Sequence, residues 1–273
     1  MALLHVTFTS ACLKRSVPMQ VILPVDGLKP AYEKPFKTLY LLHGLLGSCG
    51  DWINQTRIKR LAEAKNLCVI MPSGDNAFYV PQKNPHNDYG AFIGEELVDL
   101  TRRMFPLSHR REDTFIAGLS MGGFGALRNG LKYPGTFGSI AGLSSALHFF
   151  ETPGDGLIHN LFDEEACFGN MKRAAKSDKN PRVLAQKLAK QKHAALPRIY
   201  LACGTEDGLL RSNELFRDCL LENGYDLTWE TFPGDHNWDF WDMTIQRVLE
   251  WLPLEDGAEG IHSGHVTEAE SNE

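Results

Sequence analysis

One serine in this chain stands between glycines where an apolar run changes into a helical pattern. The stretch FIAGLSMGGFGALRNG, residues 115–130, begins like a buried strand and continues with helical spacing. A strand that turns at once into a helix leaves no room for bulky side chains beside the turn residue. Gly118 and Gly122, two residues before and two after Ser120, remove that obstruction. The stretch therefore predicts a strand, a sharp turn and a helix in direct succession.

Strand and helix patterns alternate along the rest of the chain. Two alternating stretches near the N-terminus predict antiparallel strands, and the later solid apolar runs predict buried parallel strands. The predicted strands cover residues 5–10, 16–24, 37–44, 66–74, 114–120, 137–145, 198–204 and 226–234. The predicted helices between and after them cover residues 56–66, 95–105, 123–134, 209–224 and 239–252. This alternation favours an α/β fold with a mostly parallel sheet of about eight strands, covered by helices on both faces.

Two segments depart from the alternation. Residues 146–196 hold no strand pattern and one helical pattern, at 181–193. An insertion of that length in a compact domain is usually functional, so we expect a partial lid over the carboxyl edge of the sheet. Residues 255–273 carry six acidic residues and no Lys or Arg, which is typical of a disordered tail. We therefore predict one α/β domain over residues 1–254, followed by the tail.

Charge and cysteine usage indicate which partners to expect. Outside the acidic tail the chain is balanced, with 28 acidic against 28 basic residues. Such a chain lacks the basic surface that attracts nucleic acids or anionic membranes, so we expect neither as a partner. Six cysteines without CxxC spacing, no signal-peptide pattern and no apolar run of about 18 residues favour a cytoplasmic protein with reduced thiols. The sequence leaves open whether the chain forms a homo-oligomer.

The residues from Gly118 to Gly122 match the G-x-S-x-G nucleophile elbow of α/β-hydrolases. The elbow raises the serine hydroxyl at a helix N-terminus, where backbone N–H groups favour developing negative charge. Serine is a weak nucleophile and needs a general base, which is itself oriented by a carboxylate. In this fold the partners follow in the order Ser, acid, His. His236, between the last predicted strand and the last helix, occupies the expected position of the base.

The orienting acid is expected after the predicted strand at 198–204. Glu206 and Asp207 are both available there, and because adjacent side chains point in different directions, at most one can reach the imidazole. We prefer Asp207 and assign Glu206 to solvent or to the lid. Asp235 adjoins His236 in sequence and fits a turn better than an orienting role.

Acyl transfer also requires two preorganised N–H donors for the charge that develops on the carbonyl oxygen. One donor is expected from Met121, the residue after the nucleophile. The other is expected from residues 43–47, the glycine-containing loop that follows the predicted strand at 37–44. The sequence alone does not choose among the N–H groups of that loop.

Four stretches of the chain resemble one group of α/β-hydrolases. Residues 39–72, 116–128, 202–216 and 234–242 are similar to the putative-esterase group, which includes esterase D and S-formylglutathione hydrolases, and most of all to its tributyrin-esterase and feruloyl- or acetyl-esterase branch. The resemblance implies a triad of Ser120, Asp207 and His236. It also implies that the N–H groups of Leu45 and Met121 form the oxyanion hole. It further implies a substrate entrance lined by Phe78 and Tyr79, with Trp238 beside the histidine.

We therefore predict a serine carboxylesterase that needs no cofactor or metal and uses an acyl-enzyme. Its expected substrates are small soluble esters, with short-chain acyl, acetylated sugar or hydroxycinnamoyl groups. An S-formylglutathione hydrolase-type thioesterase and an acyltransferase on the same triad are the alternatives. A catalytically silent binding protein would lack a triad residue, and none is missing. The HSGH motif at 262–265 has no third ligand in a folded context, so we expect no metal site there.

Overall fold

An eight-stranded sheet forms the centre of the computed structural model, which describes residues 1–26, 35–152, 163–193 and 195–254. The strands lie in the order β1-β2-β4-β3-β5-β6-β7-β8. Their bounds are β1 (Ala2–Ser10), β2 (Arg15–Leu23), β3 (Thr38–Leu42), β4 (Cys68–Pro72), β5 (Thr114–Leu119), β6 (Ser139–Leu143), β7 (Arg198–Gly204) and β8 (Leu227–Phe232).

The pairing divides the sheet into a short antiparallel edge and a parallel remainder. β1 pairs antiparallel with β2, and β2 pairs antiparallel with β4. All pairings from β4 through β3, β5, β6 and β7 to β8 are parallel. The prediction of two antiparallel strands followed by a parallel sheet is confirmed. Because parallel strands end at one edge, the loops after β3, β4, β5, β7 and β8 meet there.

Eleven α-helices connect the strands in the described part of the chain. They are α1 (Asp51–Gln55), α2 (Ile58–Ala64), α3 (Tyr89–Ala91), α4 (Leu97–Met104), α5 (Met121–Lys132), α6 (His148–Glu151), α7 (Glu164–Phe168), α8 (Met171–Ala174), α9 (Pro181–Ala189), α10 (Leu210–Glu222) and α11 (Trp238–Trp251). A π-helical turn, Phe92–Glu96, joins α3 to α4, and a 3-10 turn, Arg111–Asp113, precedes β5.

The segment 146–196 holds more helix than the sequence pattern predicts. Besides α9 it contains α6, α7 and α8, each of four or five residues. Helices this short show no periodicity to read, and α7 and α8 depend on local caps. The Asp163 side chain accepts the N–H of Ala166, and the Asn170 side chain accepts the N–H of Arg173. Such caps satisfy N–H groups that a first helical turn leaves free.

Two apolar layers enclose the sheet because successive strand residues point to opposite faces. Leu39 and Leu41 of β3 pack into the layer that contains α1, α2 and α11. Tyr40 and Leu42 of the same strand pack into the layer formed with α4, α5, α9 and α10. The prediction of helices on both faces of the sheet is confirmed.

Parts of the predicted lid and all of the predicted tail lie outside the described residues. Residues 153–162 and 194 belong to the former and residues 255–273, including the HSGH motif, to the latter. Within the described part, the rings of Phe149 and Phe168 pack against Phe78, with centroids 5.1 and 5.3 Å away. The lid and the domain boundaries stay predictions. No described helix is both long and apolar enough to cross a membrane.

Candidate active site

Ser120 occupies the sharp turn between β5 and α5. Its backbone has φ 52° and ψ −117°, a conformation that side-chain-bearing residues rarely adopt. The turn is held by backbone hydrogen bonds. The N–H of Ser120 donates to the carbonyl of Leu143 at 2.9 Å, and its carbonyl accepts the N–H groups of Phe124 and Ala146, each at 3.0 Å. The hydroxyl is thereby fixed at the carboxyl edge of the sheet.

The flanking glycines are required by the close approach of α5 to the sheet. A Cβ atom on Gly118 would lie 2.4 Å from the carbonyl carbon and oxygen of Gly122. A Cβ atom on Gly122 would lie 2.3 Å from the carbonyl oxygen of Leu42 at the end of β3. Because both obstacles are backbone, no rotamer change could relieve the clash. The motif is therefore a packing requirement of this turn.

The loop after β8 brings an imidazole to the serine hydroxyl. Nε2 of His236 lies 3.0 Å from Oγ of Ser120, and Nδ1 lies 2.9 Å from Oδ2 of Asp207, which follows β7. A carboxylate can only accept, so Nδ1 carries a proton and donates it. In the neutral ring, Nε2 then accepts the hydrogen bond that the Ser120 hydroxyl donates. This is the tautomer that a general base acting on Ser120 needs.

Asp207 is buried, with 4% of its surface exposed, yet its environment favours the charged form. Burial acts to raise the pKa of this carboxyl. The hydrogen bond and charge of His236, the N–H of Leu209 and the hydroxyl of Ser144 outweigh it, so the pKa lies below its ordinary 3.8. The Leu209 N–H donates to Oδ1 at 2.8 Å. Asp207 is therefore a carboxylate at neutral pH, positioned to stabilise an imidazolium.

The two neighbouring acids have other partners. The side chain of Glu206 accepts the N–H of Gly234, and its own N–H donates to the Gly234 carbonyl at 3.0 Å. Glu206 thus ties the loop of the acid to the loop of the histidine. Asp235 accepts the N–H of His236 at 2.7 Å, a contact within its own turn. The structure brings Asp207 to the imidazole, and neither Glu206 nor Asp235.

Aromatic side chains of α11 support the histidine. The Trp241 ring lies edge-on to the His236 ring, with centroids 4.9 Å apart, and its Nε1 donates to Oγ of Ser144 at 3.2 Å. Trp238 packs edge-on against Trp241 at 5.1 Å and lines the cavity beside His236. Neither Trp241 nor Ser144 was predicted from the sequence to support the histidine. The spacing of three residues between the two tryptophans places them on one helix face, a signal that could have indicated Trp241.

The loop after β3 lines the same cavity as Ser120, through residues 44–47. Within the described chain, neither the N–H of Leu45 nor that of Met121 has a hydrogen-bond acceptor. His43 fixes the start of the loop: Nε2 accepts the N–H of Gly74 at 2.9 Å, so Nδ1 carries the proton and donates to the Gly44 carbonyl at 2.7 Å. Burial lowers the pKa of His43, which keeps the ring neutral.

The two aromatic residues expected at the substrate entrance are placed differently. Phe78 is fully buried and is one of the residues that line the cavity. Tyr79 is also fully buried, but it does not line the cavity. Its ring fills the space beside Gly74 and Gly125, and its hydroxyl donates to the carbonyl of His43 at 3.0 Å. This placement does not match the expectation for Tyr79, because the residue supports the loop after β3 from the protein interior and does not face the cavity.

A cavity of about 660 Å³ opens onto the Ser120 hydroxyl. Its walls are largely apolar, and the charged side chains on it are all acidic. No Lys or Arg of the described chain lines it. The lining residues are Gly44, Leu45, Leu46, Gly47, Asp51, Phe78, Leu119, Ser120, Asp207, Gly208, Leu209, Asp235, His236, Asn237, Trp238 and Trp241.

Comparison with known proteins finds relatives over most of the chain. Residues 10–252 match the family described as "Putative esterase". An acetyl esterase of Caldicellulosiruptor saccharolyticus is 39% identical over 264 residues, covering 92% of this chain and 98% of that protein. Two solved structures from Staphylococcus aureus each cover 92% of this chain and 98% of their own, with a TM-score of 0.81. They are the fluorophosphonate-binding serine hydrolase FphF, 33% identical, and an S-formylglutathione hydrolase, 32% identical.

Proposed function

Because this chain belongs to that esterase family and is a serine esterase, we propose that it hydrolyses carboxylic esters through Ser120, His236 and Asp207. Oγ of Ser120 attacks the ester carbonyl while Nε2 of His236 takes the hydroxyl proton. Asp207 stabilises the resulting imidazolium through Nδ1. The C–O bond to the alcohol then breaks, and His236 delivers its proton to the leaving oxygen. The product of this half-reaction is an acyl-enzyme on Ser120.

Water completes the cycle in the second half-reaction. His236 takes a proton from water, the hydroxide attacks the acyl carbonyl, and the proton returns to Ser120 as the carboxylic acid leaves. In both halves, negative charge develops on the carbonyl oxygen. The N–H groups of Leu45 and Met121 are the proposed donors to that oxygen. Leu45 lines the same cavity as Ser120, Met121 directly follows Ser120, and neither N–H has another acceptor in the described chain.

One arrangement supports this proposal above all. The imidazole of His236 lies 3.0 Å from the hydroxyl of Ser120 and 2.9 Å from the carboxylate of Asp207, and all three border one cavity. These distances lie within the range that proton transfer requires. A hydroxyl that served only a structural role would not need a base, an orienting acid and a substrate-sized space.

We further propose that the substrates are small esters without net negative charge. Asp51 and Asp235 line the cavity alongside the triad carboxylate, and no described basic side chain offsets them. A cavity lined by one sign of charge repels ligands of that sign. Short-chain acyl, acetylated sugar and hydroxycinnamoyl esters all meet this condition. The acetyl esterase relative supports the first two of these classes.

A glutathione thioester is the second candidate, favoured by the likeness to the staphylococcal S-formylglutathione hydrolase. The glutathione part carries two carboxylates and one ammonium group, so it is anionic at neutral pH. Asp51 and Asp235 would face that negative charge in the described cavity. Because of this electrostatic repulsion, we propose that uncharged oxygen esters are better substrates than this thioester.

The test compares the wild-type protein with Ser120→Ala on p-nitrophenyl acetate, butyrate and octanoate, methyl ferulate and S-formylglutathione. We expect the wild type to prefer neutral short-chain esters, and the variant to lose about 10⁶-fold in turnover. Ser177→Ala is the matched control and should keep full activity. The Ser177 hydroxyl donates to the Ala174 carbonyl at 2.8 Å and accepts the N–H of Lys179 at 3.1 Å, and the residue does not line the cavity. Persistent turnover by Ser120→Ala would overturn the nucleophile, and a preference for S-formylglutathione would overturn the substrate class.

A cytoplasmic location is also proposed. All six cysteines are free thiols, which supports a reducing compartment. The expectation that nucleic acids and membranes are not partners, and the question of a homo-oligomer, rest on the sequence alone.

A further inference from the structure

We propose that Asn76 is a positioning residue for the oxyanion donor at Leu45, an inference that rests on the proposed function. Oδ1 of Asn76 accepts the N–H of Leu46 at 2.8 Å. Leu46 is the next residue after Leu45, so this bond fixes the peptide group on the carboxyl side of the donor. Asn76 itself does not line the cavity. Its effect on the reaction would therefore pass through the loop backbone.

The backbone at Leu46 needs such a restraint. Its φ of 62° lies in the left-handed region, which residues with a side chain rarely occupy without support. The Leu46 side chain is 68% exposed, so packing does little to hold it. Within the loop, the N–H of Gly47 donates to the Gly44 carbonyl at a long 3.3 Å. The Asn76 bond is thus the shorter restraint on a strained residue adjoining the oxyanion donor.

Asn76 can act as a restraint because its own segment is anchored. The carboxylate of the preceding residue, Asp75, accepts hydrogen bonds from the Arg15 guanidinium of β2 and from the Tyr89 hydroxyl of α3, the latter at 2.5 Å. On the other side, Tyr79 donates to the carbonyl of His43. Two anchored points therefore flank Asn76, and its amide connects the loop after β4 to the loop after β3.

The amide suits this position chemically. A neutral amide oxygen can accept the N–H of Leu46 without placing a negative charge near the oxygen on which negative charge develops. By occupying the N–H of Leu46, it also leaves the N–H of Leu45 as the free donor of this peptide pair. When the restraint is lost, Leu46 can relax to a negative φ, and the Leu45 peptide turns away from the oxyanion.

The experiment measures steady-state kinetics of Asn76→Ala on p-nitrophenyl acetate. Outright removal of an oxyanion donor costs about 10²–10³-fold in kcat, so a loss of orientation should cost about 10-fold. We expect KM to change by less than about twofold, because the ground-state carbonyl gains little from the donor. The inhibition constant of a trifluoromethyl ketone, whose adduct with serine carries the oxyanion, should rise by the same factor as kcat falls.

Asn84→Ala is the matched control. Asn84 lies in the same stretch, and its Oδ1 likewise accepts a backbone N–H, that of His86 at 3.0 Å, away from the cavity. This variant should keep wild-type kcat and inhibition. Titration with a fluorophosphonate corrects all rates for the folded, labelled fraction. If Asn76→Ala does not fold, Asn76→Ser is used in its place. The serine side chain is one atom too short to reach the Leu46 N–H, so this variant also lacks the hydrogen bond.

The outcomes separate this inference from the function it rests on. An inactive wild-type protein that fluorophosphonate does not label would reject the proposed function. An active wild type whose Asn76 variants keep kcat and ketone inhibition within twofold would reject the inference alone. The inference is also wrong if the loss appears in KM only, or if Asn84→Ala loses as much as Asn76→Ala.

Discussion

The two sides of the cavity contribute different chemical groups: one side contributes side chains and the other contributes backbone N–H groups. On the side of β7 and β8, the side chains of Asp207 and His236 form the proton relay, at 2.9 and 3.0 Å. On the side of β3 and β4, the proposed donor at Leu45 is a backbone N–H, set in loops where Leu46 and Asp75 have positive φ. A substitution can delete a side chain, whereas any substitution other than proline can only displace a backbone N–H. The relay side should therefore be sensitive to residue identity, and the oxyanion side to loop geometry.

The largest effect is expected on the relay side, from His236→Ala. Loss of the general base leaves the Ser120 hydroxyl with no proton acceptor, and kcat should fall about 10⁶-fold. His5→Ala changes an exposed residue of β1, is the matched control and should keep full activity. Turnover of p-nitrophenyl acetate measures both. A loss of less than about 100-fold would mean that His236 is not the base.

The next largest effect is expected from Asp207→Asn. An amide can hold the imidazole in the wrong tautomer, so kcat should fall about 10⁴-fold. Glu206→Gln keeps a carbonyl acceptor for the Gly234 N–H and should cost less than about 10-fold. Equal losses in the two variants would contradict the choice of Asp207 as the orienting acid.

Asp207 also predicts a pH dependence of stability. Its pKa is lower in the folded protein than its ordinary 3.8, so the ionised group stabilises the fold above that pH. The contribution is lost as pH falls below 3.8 and through the folded pKa. In urea unfolding, the free-energy gap between wild type and Asp207→Asn should be constant at neutral pH and narrow below pH 3.8. A difference in unfolding free energy that stays constant well below pH 3.8 would contradict the assigned pKa shift of Asp207.

On the oxyanion side, we expect side chains to determine which acyl chain fits the cavity and to have little effect on the chemical step. Phe78→Ala tests this expectation. Phe78 is fully buried and lines the cavity, and removing its ring leaves space for a longer acyl chain. We expect the ratio of kcat/KM for p-nitrophenyl octanoate over acetate to rise about 10-fold, in line with the transfer of about two methylene groups. An unchanged ratio would mean that the acyl chain lies elsewhere.

The smallest effect is expected from Leu45→Ala. The substitution removes a half-buried side chain from the cavity wall but keeps the N–H, so kcat should change less than about threefold. KM should rise modestly because an apolar contact is lost. A 100-fold fall in kcat would break the contrast between the two sides, since it would make the oxyanion side depend on a side chain.

The same contrast explains what could be predicted from the sequence. The alternation of strand and helix predicted the sheet, and residue type and order along the chain led to Ser120, Asp207 and His236, which the structure brings together. The role of Asn76 could not be predicted in this way. Its hydrogen bond to Leu46 joins two loops that lie 30 residues apart in sequence. The bond also depends on left-handed backbone at Leu46 and Asp75, which the residue types do not predict.

Tyr79 illustrates the same limit. Its residue type suits a substrate entrance, and only the packing against Gly74 and Gly125 directs its ring into the interior. The short helices α7 and α8 were missed for a related reason, because their capping contacts are local and carry no periodicity. The catalytic side chains at strand ends can therefore be predicted from the sequence, whereas the geometry of the loops is seen only in the structure.

The central claim is that the Ser120 hydroxyl is activated by the imidazole of His236. Intact-protein mass spectrometry after fluorophosphonate treatment tests it most directly, with the modified residue located by peptide mapping. We predict one adduct per chain, on Ser120, with no adduct on Ser120→Ala and strongly slowed labelling of His236→Ala. An adduct on another residue, or labelling of His236→Ala at the wild-type rate, would contradict the claim.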